Sequence, residues 1–359
     1  MSEIRELPAA RHAFAEWLGK VDTAKRLVAM HDCDADGVAA GVVWERGLER
    51  LGYGDLARVL PTRERNPWTT ENRARVAAAH PEALCLLDLG SQDQALVDSA
   101  PLASSQPVPM CVIDHHRPQG TPPGGVLISA YTWNPSMNTS LLMWELLKPL
   151  VNVEDLDWVA AIGTIGDLGE KAPFEIVDIA KKKYTAKYLK ETTALINAAR
   201  RCSSYEPEVA ARALMTHESP RAFFDSTSPD ILRLKEDRTE VSAALADAKK
   251  AGPKFAGKNV ALVQIHSACQ VHPLIAQIWR MRLPKVVVIV ANTGFQADRV
   301  HFSMRSTAPV SVLELLSTVK LDLAEGEGNF GNGHDQASGG SLPVDQFVSM
   351  LHQLGFTPS

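Results

Sequence analysis

Short apolar runs that each end in an acid or an imidazole constrain this chain most. Four segments carry the pattern: His31-Asp32-Cys33-Asp34-Ala35-Asp36-Gly37, Leu87-Asp88-Leu89-Gly90, Asp114-His115-His116 and Gly166-Asp167. The runs before the first three, residues 26–30, 83–87 and 108–113, have strand length. Val38, Gly41, Val42 and Leu48 recur at helical spacing and predict a helix over 37–51. Further helices are expected at 8–20, 70–80 and 92–99, with a strand at 56–60. Strands alternating with helices predict an α/β lobe whose parallel sheet is covered by helices on both faces. The loops after neighbouring strands then converge at one sheet edge, where open α/β folds place their chemistry.

At 359 residues the chain exceeds the size at which one core keeps growing, so two lobes are expected. Helices are predicted at 140–150 and 156–165, the second carrying Asp167 at or just past its end. A mostly helical stretch follows from 177 to about 250 and reads as a linker. Strands return at 260–265, 286–291 and 299–304, with helices at 273–282, 310–319 and 344–354. The expected organisation is an N-terminal lobe over 1–190, a helical linker over 191–250 and a smaller mixed α/β lobe over 251–359.

Charged residues make up 22% and hydrophobic ones 45%, the balance of a globular chain rather than a disordered one. The formal charge of -5 argues against a broad nucleic-acid-coating surface, although Arg63, Arg65, Arg73 and Arg75 form a local patch suited to a short phosphate chain. Five scattered cysteines without a CxxC pair argue against a zinc ribbon or a disulfide framework. Reduced thiols, together with an N-terminus that lacks an apolar signal core, give a cytoplasmic expectation. The most apolar run, residues 286–291, is too short to span a bilayer, so no membrane partner is expected.

Asp34 and Asp36 lie two apart in a strand-to-helix loop, where both carboxylates can face one cavity. Asp88 follows a strand and precedes Gly90, a placement that suits either a ligand bridging two cations or a helix cap. In Asp114-His115-His116, adjacent side chains point opposite ways, so one imidazole can bind metal while the other meets substrate. Asp167 sits in a Gly-punctuated apolar stretch, where an acid needs a metal or a cap. Such a carboxylate-rich site with imidazoles suits Mn or Mg. Downstream, residues 331–340 read as a Gly-rich loop whose amides at Gly331, Gly333 and Gly339, with His334, form a phosphate cradle. Arg305 is a candidate for gripping the same phosphate.

The four N-terminal motifs and the Gly331-Asn332-Gly333-His334 segment resemble the DHH phosphoesterase superfamily, in the subgroup with a DHH-associated C-terminal domain. The resemblance covers nearly the whole chain. It implies a five-stranded parallel sheet holding two Mn ions, a helical connector and a substrate-gripping second lobe. By that analogy Asp34, Asp36, Asp88, His115 and Asp167 are metal ligands with Asp88 bridging, and His116 lies beside the scissile phosphate. His31 is a further metal candidate. However, it stands closer to the paired acids than the His of the pyrophosphatase and small oligoribonuclease branches. The Asp32, Asp34, Asp36, Gly37 pattern is instead similar to the RecJ exonuclease branch, with Asp32 in an outer-sphere role.

The implied activity is two-metal hydrolysis of short single-stranded oligonucleotides to mononucleotides, with Mn favoured over Mg. A homodimer is compatible with the sequence. The alternative substrate is a small phosphorylated ligand such as adenosine bisphosphate, a cyclic dinucleotide or polyphosphate. A phosphate-binding module without catalysis is disfavoured because every expected acid is present.

Overall fold

A computed structural model describes residues 6–97, 108–257, 259–323 and 329–357. The chain divides into two compact units, one of Met1–Arg200 and Glu206–Lys235, the other of Arg201–Tyr205 and Glu236–Ser359.

In the first unit, five short segments become parallel strands, three of them wholly buried and the two at the sheet edges half-buried. They are β1 (Leu27–His31), β2 (Leu56–Val59), β3 (Ala83–Leu87), β4 (Met110–Asp114) and β5 (Val126–Ser129). The sheet order is β2-β1-β3-β4-β5. Leu27 is in register with Leu56 on one side and Ala83 on the other, Leu84 with Met110, and Cys111 with Val126. The chain winds outward from β1 to β2 and then back past β1 to β3, so the direction of winding reverses between β1 and β3. That reversal is where the carboxyl edge of an open sheet leaves a crevice.

Strand alternation sends Val28, Met30, Leu84, Leu86, Met110 and Val112 into one core with Val76 and Leu96. Val76 belongs to α3 (Thr70–Ala78), and the opposite face carries α2 (Ala35–Arg50). Packed on α2 are α4 (Thr139–Leu147) and α5 (Asp157–Leu168), while α1 (Leu7–Leu18) packs on α4 and β5. Helices thus cover both faces, as the alternation predicts. The helical stretch follows as α6 (Glu175–Tyr184), α7 (Ala186–Arg201), α8 (Pro207–Thr216), α9 (Pro220–Asp225) and α10 (Pro229–Ala248).

The second unit is a mixed sheet ordered β10-β11-β9-β8-β7-β6. Its strands are β6 (Lys254–Ala256), β7 (Val260–Ile265), β8 (Val287–Asn292), β9 (Arg299–Arg305), β10 (Asn329–His334) and β11 (Ala337–Pro343). β7 and β8 are parallel and the other pairs antiparallel. One face packs Leu262, Ile289, Phe302 and Met304 against α12 (Val312–Ser317) and α13 (Val344–Gln353). The other packs Val263, Val288 and Val290 against α11 (His272–Arg282) and Val241 of α10. Among the described residues, no helix is long and apolar enough to cross a membrane, and no disulfide forms.

Two expectations need correction. Residues 92–97 are not helical, and 98–99 lie outside the described residues. Left-handed backbone at Asp88 (φ 63°) and Gly90 (φ 79°) turns the chain, and side chains then take the carbonyls a helix would use. Trp68 Nε1 donates to Gln94 O at 3.4 Å and Arg73 Nε to Leu96 O at 3.3 Å. The Gly-rich segment is likewise not a loop but the β10–β11 hairpin. The registers there demand small residues: a Cβ on Gly339 would stand 2.5 Å from Phe302 O on the neighbouring strand. The short strands β5 and β6 were not foreseen.

Candidate metal centre

β1, β3 and β4 end at one sheet edge, and each delivers its acids or imidazoles there. Asp34 caps α2: its Oδ1 accepts from Asp36 N at 3.0 Å and Gly37 N at 3.2 Å, which satisfies amides that a helix start leaves unpaired. Asp36 then lies in the first turn of that helix. Gly37 makes the approach feasible, because a Cβ there would meet Asp32 Cβ and O at 2.5 Å. Asp88, directly after β3, occupies the left-handed region, where strain in a non-glycine residue is worth a functional look.

Asp36 is held by the start of α4. Its Oδ1 accepts from Asn138 Nδ2 at 2.6 Å and Ser140 N at 2.8 Å, and its Oδ2 from Thr139 N at 2.9 Å. Amides at a helix N-terminus favour an anion. Thr139 Oγ1 also donates to Asp88 Oδ1 at 2.9 Å.

His115 Nε2 is the focus of the cluster. It lies 3.3 Å from Asp88 Oδ1, 3.7 Å from Asp167 Oδ2 and 3.9 Å from Asp36 Oδ2. Asp167 arrives in the last turn of α5, so residues separated by over 130 positions meet at one point. Candidate donor atoms of Asp36, His115 and Asp167 lie within 4.8 Å of one another, as do those of Asp88, His115 and His116, and those of Asp32, Asp34 and Asp88.

Asp114 orients the neighbouring imidazole. Its Oδ1 accepts from His116 N at 2.5 Å and faces His116 Nδ1 at 3.0 Å, while Oδ2 accepts from Gly90 N at 2.7 Å. Burial opposes the ionisation of Asp114, but the charge and hydrogen bonds of His116, aided by His115, outweigh it and hold the carboxyl below its usual range. Burial likewise opposes charge on both imidazoles and is overcome. Asp167, Asp36, Asp114 and Asp34 raise His115, and Asp114 raises His116, whose side chain is 36% exposed.

The remaining acids are crowded. Burial, then the like charges of Asp36 and Asp34, pushes the Asp88 carboxyl well above the normal range. Burial also pushes Asp167 up to about 6, against the pull of His115. Carboxylates concentrated this way, with imidazole among them, are the donor set of a divalent cation, which relieves the repulsion that otherwise favours protonation.

The other sequence candidates are placed differently. His31 ends β1 on the face covered by α2, and its ring abuts Gly41 so closely that a Cβ there would lie 2.4 Å away. Its Nδ1 faces Asp32 O at 2.8 Å, and no described donor group converges on it as a ligand. Burial, followed by Arg58, drives its pKa well down, so the ring is neutral. Asp32 is tied up by Arg65, which contacts both carboxylate oxygens. Arg65, anticipated only as part of a basic patch, thus sits at the centre, with its Nη2 also 3.4 Å from Asp34 Oδ2.

In the second unit His334 ends β10. Gly331 (φ 83°) is the extra residue of a bulge between Phe330 and Asn332, whereas Gly333 and Gly339 are paired within strands. Arg305 Nη1 donates to Met304 O at 2.9 Å and Ser338 O at 3.0 Å. Burial, and secondarily Arg280, lowers it to about 10.

Sequence reasoning missed Asn138, Thr139, Ser140 and Arg200. The first three had a readable signal, an Asn-Thr-Ser run before an apolar helix. Arg200, with Nη2 3.6 Å from Asp34 Oδ2, had none.

Residues 26–166 match the family model described as DHH family, N-terminal domain. No curated protein matches the chain. Among solved structures, the fold is similar to RecJ from Thermus thermophilus in complex with Mn2+. The TM-score is 0.66 at 20% identity, over 98% of this chain and 54% of that one. The chain therefore spans about half the length of that protein. A second similar structure, an exonuclease RecJ bound to manganese, gives a TM-score of 0.61 at 20% identity, covering 98% of this chain and 94% of that chain. A DHH domain from a member of a family of ribosomal proteins gives 0.64 at 15% identity, covering 98% and 88%.

Proposed function

We propose that this chain, whose residues 26–166 match the DHH family N-terminal domain and whose fold is similar to that of RecJ, is a metal-dependent phosphoesterase that hydrolyses short single-stranded oligonucleotides from one end, releasing mononucleotides. The observation that carries this reading is the convergence of Asp36, Asp88 and Asp167 on His115 Nε2, each within 4 Å. Asp34, Asp36, Asp88, His115 and Asp167 would hold two divalent cations, Mn2+ in preference to Mg2+, with Asp88 shared between them. Cations bound there supply Lewis acidity, activating water and offsetting charge at phosphorus.

The chain's own groups do the rest. Asn138 and the amides of Thr139 and Ser140 fix Asp36, so its rotamer is set before substrate arrives. Asp114 fixes His116 through Nδ1 and favours its cationic form, which suits contact with the scissile phosphate and proton donation to the leaving oxygen. Arg65 and Arg200, beside Asp34, offset its negative charge. In the second unit, His334, the Gly331 bulge and Arg305 are proposed to bind a substrate phosphate.

The test is to offer purified chain with Mn2+ a ladder of short RNAs, the same DNAs, adenosine bisphosphate and polyphosphate in parallel. Mononucleotide release from the oligonucleotides is expected, and labels at the 5' and 3' ends report its direction. Turnover of the small ligands alone would replace this substrate assignment while leaving the metal centre in place.

A further inference from the structure

The described residues contain a second group of metal-ligating side chains, this one bearing sulfur and lying wholly in the second unit. Cys202 follows the end of α7. Asp237 and Glu240 are three apart on α10, hence on one helix face. Donor atoms of these three residues lie within 4.8 Å of one another. Cys269, from the segment between β7 and α11, donates from Sγ to Glu240 Oε1 at 3.4 Å. Glu240 is thereby common to both thiols, and Ser203 N steadies it at 3.3 Å from Oε1 and 3.4 Å from Oε2. Cys202, Asp237 and Cys269 are almost wholly buried, against an apolar cluster that includes Val241, Val263, Ile265 and Val271.

We propose that Cys202, Asp237, Glu240 and Cys269 bind a thiophilic divalent cation, Zn2+, at a structural site distinct from the acidic centre. Three separate segments of the chain supply the donors, so the ion would pin the Cys202 segment and the β7–α11 connection to α10. Two thiols and two carboxylates brought together from three segments form a mixed sulfur and oxygen donor set for such an ion. Thiolate selects zinc over the hard cations suited to the carboxylate and imidazole site of the first unit. Burial, reinforced by Glu240, keeps the Cys269 thiol protonated in the absence of metal, so binding displaces thiol protons to solvent. The sequence argument against a zinc ribbon still holds, because these ligands are distant in the chain and only the fold assembles them.

The test uses the full chain stripped with chelator and returned to excess Mg2+, which covers the acidic centre without contributing sulfur ligation. Titration with Co2+ should produce a near-ultraviolet sulfur-to-cobalt charge-transfer band that saturates at one equivalent and is displaced by Zn2+. Cys202→Ser should weaken the band, and Cys202→Ser combined with Cys269→Ser should remove it. Glu240→Gln, which preserves volume and guards against a folding failure of the serine variant, should weaken binding by about tenfold or more. Asp88→Ala should leave the band intact. Absence of the band, an undiminished band in Cys202→Ser, its persistence when both cysteines are replaced, or its loss in Asp88→Ala would overturn the proposal. So would a denatured, metal-free chain titrating two thiols fewer than its five cysteines, which would signal a Cys202–Cys269 disulfide.

Discussion

At the residue scale, Asp88 carries a heavy electrostatic burden, because it is buried beside Asp36 and Asp34. Its folded pKa lies above the unfolded value of about 3.9, so without metal the native state keeps a proton that the unfolded chain releases. That contribution to stability is present below about pH 4 and is lost as pH rises, for Asp167 through about 6. In chelator, Asp88→Asn should therefore melt above the parent protein at pH 8, and the gap should shrink toward pH 4; thermal unfolding across that range checks the sign. With Mn2+ restored, the same variant should lose hydrolysis almost completely. Asn138→Ala removes a donor to Asp36 Oδ1 and should weaken Mn2+ binding by about 10–100-fold, measured by calorimetry, with the fold kept. Asp34, Asp36 and Asp88 were legible because an apolar strand leads into each, and Asp167 because it stands in a Gly-punctuated apolar stretch. The Asn138-Thr139-Ser140 run marked a helix start, but its hold on Asp36, like the approach of Arg200 to Asp34, joins residues more than a hundred positions apart, and a local pattern carries no record of such pairing.

At the element scale, the centre depends on how closely α5 approaches α4. A Cβ on Gly163 would fall 2.1 Å from Ser140 Oγ and 3.1 Å from Asp36 Oδ1. Gly163→Ala should cost about 1–3 kcal/mol of stability through overpacking, seen in denaturant unfolding, and should lower metal affinity because Ser140 and Asp36 move together. Strands β1, β3 and β4 were readable as uninterrupted apolar runs, the mark of a sheet buried on both faces. The supposed helix after Asp88 was misread because Asp88, which suits a helix cap, instead joins Gly90 in a left-handed turn. The β10–β11 hairpin was misread because glycine usually signals a loop, whereas at Gly339 it permits close packing of strands.

At the scale of the whole molecule, length and the return of strand patterns after residue 252 announced two lobes, and the chain does form two units. The division passes through α10, a continuous helix, and no composition shift marks such a point. Separate roles for the units predict separable kinetics. His334→Ala, in the second unit, should raise KM for an oligonucleotide by about tenfold, the loss of one charged hydrogen bond, while Mn2+ affinity stays unchanged. Steady-state kinetics beside metal titration distinguishes this from a general loss of structure.

The proposed binuclear centre is tested most directly by anomalous diffraction at the manganese edge from crystals grown with Mn2+. Two peaks about 3.5–4 Å apart are expected, within coordination distance of Asp34, Asp36, Asp88, His115 and Asp167. No peak at that cluster, or ions bound only elsewhere, would contradict the assignment.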